Sequence, residues 1–223
     1  MIALIFLRFI NFIITKEANM AFLSSSSSIS RYYIEGKFDD SIMENIKTGL
    51  EKNSVPDIET DYSEVSVGWT PFESPYKPDF NKFGFSFGTY FLFNFRIDKK
   101  TIPSKLIKKH ISLEIDKRLE KSGRSFISKN EKSEIKDFVL DDLMRKIPSV
   151  PNIYEVLWNY EEACLFLFTT QKAANELFET IFFKSFDLKA IRLFPYTMIE
   201  KISNLKDQYK DIIYNQSSFN YIK

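Results

Sequence analysis

Few residues in this chain are equipped to do chemistry. His110 is the only histidine and Cys164 the only cysteine among 223 residues. One histidine excludes a His-pair metal site and argues against a Ser–His triad. His110 stands beside Ile111 on an amphipathic stretch, where a packed or solvated histidine is the ordinary outcome. Cys164 lies in a Phe- and Leu-rich segment and reads as a buried, inert thiol. A lone cysteine also excludes a disulfide scaffold and a Cys-based zinc site within one chain. Neither G-x-x-x-x-G-K-[ST] nor G-x-G-x-x-G occurs, so the sequence offers no glycine loop to cradle phosphate. A magnesium-dependent nuclease needs two or more carboxylates converging on the metal, often with a lysine nearby. The candidates are Asp57, Glu59 and Asp61 on a loop, and Glu134-Ile-Lys136. The second group falls in a predicted helix, where its side chains diverge. Asp141-Asp142 and Glu161-Glu162 read as solvated surface. No catalytic residue, metal ligand or cofactor is expected.

Charge carries more information. Lys and Arg total 31 against 30 Asp and Glu, a net charge of +1, so attraction to a polyanion must come from clustering. Between Lys99 and Arg124 the basic residues are Lys99, Lys100, Lys105, Lys108, Lys109, Lys117, Arg118, Lys121 and Arg124. Only Glu114, Asp116 and Glu120 oppose them, a local excess of six. Lys129, Lys132 and Lys136 extend the run, partly offset by Glu131 and Glu134. At 3.6 residues per turn, Lys105, Lys109 and Lys117 fall broadly opposite the apolar stripe of the same helix. Such a ridge suits phosphate contacts, which carry no sequence preference and weaken steeply with salt. An ordinary solvated helix face is the competing explanation.

The elements that must position this ridge follow from periodicity. Ser28 to Glu35 reads as a strand. A helix capped by Asp39 or Asp40 runs to about Glu51, with Ile42, Met43, Ile46 and Leu50 as its apolar face. Val65–Thr70 is a short strand closed by Pro71, and the proline-rich stretch from Phe72 to Lys82 is loop. Phe85 to Ile97 reads as one strand with Phe91, Phe93, Phe95 and Ile97 on one face and Leu92, Asn94 and Arg96 on the other. A helix then starts at Pro103 and ends at Ser122-Gly123, with Ile107, Ile111, Ile115 and Leu119 four apart. Ser128-Lys-Asn-Glu131 is a capping-box pattern opening a helix to about Lys146, striped by Ile135, Phe138, Val139, Leu143 and Ile147. Ile153–Trp158 and Ala163–Thr169 form a hairpin. A helix from Gln171 to about Lys184 and a strand from Leu188 to Leu193 follow, then a polar helix from about Thr197. The expectation is an α+β fold, antiparallel sheets of short strands packed with amphipathic helices. Residues 1–19 are expected to lie outside it, with Met20 as the natural start. Their apolar run, interrupted by Arg8, is too short to span a bilayer, and no stable membrane association is expected.

Several segments, taken in order, resemble the recombination-associated protein RdgC family. Ser66-Val-Gly-Trp69-Thr-Pro71 is similar to that family's GW-x-P element, and Ile102-Pro-Ser-Lys-Leu-Ile107 to the element leading into its long Lys/Glu helix. The second helix, the Trp158 hairpin and Thr170-Gln-Lys-Ala-Ala-Asn-Glu-Leu177 resemble the elements that come next. The likeness runs from about Met20 to Pro195, and residues 196–223 fall outside it as a helix and tail. It implies a bacterial, cytoplasmic, nucleoid-associated protein that binds double-stranded DNA without sequence preference and antagonises RecA. It also implies a homodimer closing as a ring around the duplex; typical members are longer at the C-terminus, so an open dimer is the variant to consider here. The alternatives from other classes are a metal-dependent DNA exonuclease, a label long attached to the family, and a protein-interaction module whose ridge meets an acidic partner.

Overall fold

The computed structural model describes residues 26–39, 41–57, 63–82, 84–195 and 197–198. The segment 1–25, the predicted C-terminal helix beyond Met198, Asp40, Glu59 and Asp61 lie outside the described residues. The elements run β1 (Ser30–Glu35), α1 (Ile42–Lys52), β2 (Val65–Pro71), β3 (Ser86–Phe87), β4 (Tyr90–Lys99), α2 (Ser104–Ser122), α3 (Lys129–Lys146), β5 (Val150–Asn159), β6 (Cys164–Leu167), α4 (Lys172–Phe186) and β7 (Lys189–Arg192). All strands join one antiparallel sheet in the order β2-β4-β5-β6-β1-β7, with the short β3 paired to the start of β4. The architecture is α+β.

The pleat sends alternate residues to opposite faces, and one face of this sheet is the main core. Trp69, Phe93, Phe95, Val156, Trp158, Leu165, Leu167, Tyr32 and Ile34 meet Phe178, Phe182 and Phe186 of α4 and Ile46 and Leu50 of α1. Trp69 is its centre, edge-on to Phe93 at 5.3 Å and to Phe178 at 5.9 Å, with its indole N–H donating to Ser185 Oγ at 2.7 Å. Burying a side chain of this size stabilises by about 2–3 kcal/mol beyond leaving it exposed. Beside it, Gly68 has a packing reason. A Cβ there would sit 2.3 Å from the Val55 backbone, because residues 53–55 bridge β2 at Trp69. Tyr32 adds a buried polar tie across the layers, its hydroxyl donating to Asn175 Oδ1 at 2.6 Å. Burial, and then the nearby Glu179 carboxylate, push its phenol pKa well upward.

Several expectations need correction. Phe85 to Ile97 is not one strand: Gly88, at φ +64°, opens a two-residue turn between Phe87 and Tyr90. A glycine first in the turn is the geometry a tight hairpin favours. On the reverse face of β4, Leu92 and Asn94 are buried as well. Asn94 donates to the Pro71 carbonyl at 3.0 Å, and Tyr76 of the proline-rich loop lies over Arg96. Ser41, not an aspartate, occupies the N-cap of α1, with no side-chain cap bond. Met43 is 48 % exposed and Phe138 55 % exposed, so neither belongs to its helix's buried stripe.

Candidate nucleic-acid interface

The ridge residues fall on a helical hairpin, α2 and α3, inserted between β4 and β5. The strands that carry it are paired up to their last residues, Lys99 opposite Val150, which fixes where the hairpin leaves the sheet. Pro103 caps α2, and Gly123 ends it in the left-handed region at φ +63°. Ser128 then starts α3 with a complete capping box: its Oγ accepts from the Glu131 N–H at 3.2 Å, and Glu131 accepts from the Ser128 N–H at 2.9 Å. That backbone N–H, together with the Arg124 guanidinium, holds the Glu131 carboxyl down at about 2.

The hairpin has a small core of its own. Ile135, Val139 and Leu143 of α3 are buried against Ile107, Ile111 and Ile115 of α2, with Ile102, Leu106 and Ile127 at the ends, and none of these belongs to the main core. The short connection makes the helices antiparallel, and the two seams then divide the hairpin into two faces. At 100° per residue, Lys105 and Lys108 fall on one side of the α2 seam. Lys129 and Lys136 fall on the same side of the α3 seam, with Lys132 one turn from Lys136. All five are exposed and, among the described residues, none is ion-paired. Ser112, Leu119, Ser133 and Leu140 share that face, and Asp116 and Asp137 lie only at its outer margins.

The opposite face holds Lys117, Arg118, Lys121 and Arg124, three of them paired with carboxylates. Arg124 meets Glu131 at 2.7 Å, and Glu114 takes Arg118 at 3.2 Å and Lys117 at 3.9 Å. Lys121 projects to that side as well, near the start of α3. Lys109 points away from the seam altogether, and Lys99 stays exposed at the end of β4. Lys100 is the clear correction: it is 3 % exposed, and its Nζ donates to the Met144 carbonyl at 3.0 Å. Strand alternation turns it inward, so it cannot reach a phosphate.

The family model for RdgC, described as "Putative exonuclease, RdgC", matches residues 28–203. The chain belongs to the RdgC family. The matched span takes in every element described above, hairpin included. No curated protein matches the chain. On this RdgC fold, no cluster of three or more His, Cys, Asp or Glu able to hold a metal occurs among the described residues. Of the loop carboxylates, only Asp57 is described. Glu134 and Lys136 of α3 point to different sides of the helix. No helix among the described residues is long and apolar enough to cross a membrane. A 290 Å³ cavity lies elsewhere, lined by Arg31, Tyr33, Glu162 and Cys164, away from the hairpin.

Reading the chain by charge missed the division into two faces. The signal was present: Glu114 stands three residues before Lys117 and four before Arg118, against no acid within four residues of Lys105 or Lys108.

Proposed function

We propose that this RdgC-family chain binds double-stranded DNA without sequence preference, through the lysine face of the α2–α3 hairpin. The observation that carries the reading is the group of five exposed lysines, Lys105, Lys108, Lys129, Lys132 and Lys136, on one side of a two-helix arm with no ion-pair partner among the described residues. The α2 helix is 19 residues long, so this face extends about 28 Å along its axis. Ammonium groups so spaced engage successive phosphates and read no bases. Family membership supports placing that binding in recombination, as a nucleoid-associated homodimer that restrains RecA.

Fluorescence anisotropy with unrelated duplexes tests this reading. Five phosphate contacts give a slope of log K against log salt of about −4.5 per hairpin, roughly a 500-fold loss between 50 and 200 mM. Binding that depends on sequence, or that ignores salt, contradicts it. The family description favours a second reading, an exonuclease acting on the same DNA. Labelled linear duplex incubated with Mg²⁺ or Mn²⁺ separates the two: full-length product supports a binder, and shortened product supports the nuclease.

A further inference from the structure

We propose that Lys100 is a positioning residue: it sets the angle of the α2–α3 hairpin to the sheet, and thereby the presentation of the lysine face, without touching DNA. The inference rests on assigning DNA to that face.

The hairpin has its own core, so its orientation is decided at its base. Lys100 is the first residue past β4. Its backbone N–H donates to the Glu64 carbonyl at 2.8 Å, on the approach to β2. Its ammonium crosses to the Met144 carbonyl, in the last turns of α3. One side chain therefore ties the strand that enters the hairpin to the helix that leaves it. The C-terminal end of a helix presents unsatisfied carbonyls and a partial negative charge, which a cation complements. A buried ammonium is costly unless its hydrogen bonds are met. An aliphatic chain would fill the same space; the ammonium adds a directed bond to one carbonyl, which fixes where the end of α3 sits.

Two readouts decide the matter. Spin labels at Asn130→Cys and Glu176→Cys, with Cys164→Ala, report the distance between the start of α3 and the exposed side of α4. The parent should give a narrow distribution, Lys100→Met a broad one, and Lys100→Arg a narrow one again. Lys100→Gln, neutral and too short to reach the Met144 carbonyl, serves as the second variant should the Met variant not fold, and it too should broaden the distribution. On duplex DNA, Lys100→Met should weaken binding by about three- to tenfold with the salt slope unchanged, because the same five lysines remain. A distribution as narrow as the parent's, or a broad one with unchanged affinity, overturns the proposal. Should the parent bind no DNA, the functional reading fails while the label distances still decide whether Lys100 holds the hairpin.

Discussion

Gly68 and Trp69 show how two adjacent residues serve one joint. The indole fills the centre of the aromatic core, while the missing side chain at Gly68 lets residues 53–55 cross the strand at contact distance. Gly68→Ala drives a Cβ into backbone that cannot yield, and overpacking of this kind costs about 1–3 kcal/mol. Urea unfolding should show a lower midpoint with an unchanged m-value; an unchanged midpoint would mean the crossing is not tight. The same scale governs the lysines. Lys136→Glu should weaken binding to every duplex alike, whereas Lys121→Glu, on the face already rich in carboxylates, should change it little. Anisotropy titrations of the two variants side by side check that asymmetry. Residue identity alone did not reveal which lysines were available: Lys100 and Lys99 are neighbours in sequence, yet the pleat turns one inward and leaves the other in solvent.

At the scale of elements, the hairpin depends on its capping box. Glu131 accepts from the Ser128 N–H and pairs with Arg124, and its carboxyl titrates near 2 instead of the ordinary 4.5. A carboxylate whose pKa is depressed on folding stabilises the fold in full above 4.5 and loses that contribution as pH falls towards 2. The protection factors of amides at the start of α3, corrected for the intrinsic exchange rate at each pH, should therefore fall below pH 4.5 in the native protein, and Glu131→Gln should remove that fall. Ser128→Ala should cost about 1 kcal/mol, seen first as lost protection in the opening turn of α3. The capping box was legible in the sequence because its signal is local. The β3–β4 turn was not, because Gly88 interrupts an unbroken run of aromatic residues that reads as a single strand. Phe138 was misassigned for a related reason: its spacing fits the stripe of α3, but α2 covers only the flank carrying Ile135, Val139 and Leu143.

For the molecule as a whole, a near-neutral chain separates its charge by architecture. The sheet and its two covering helices form an aromatic core, and the basic excess is carried out on an arm with a separate core. The periodicity of each helix was readable from the sequence. The existence of two unlike faces was not, because it arises only when two antiparallel helices share a seam. The central claim is that the lysine face of the hairpin meets phosphate and the ion-paired face does not. The most direct measurement is the salt dependence of duplex binding for two triple variants, Lys105→Gln/Lys108→Gln/Lys136→Gln and Lys117→Gln/Lys121→Gln/Arg124→Gln. The first should flatten the slope from about −4.5 to about −1.8, and the second should leave it near the parent value. Equal flattening by both, or flattening by the second alone, would contradict the account.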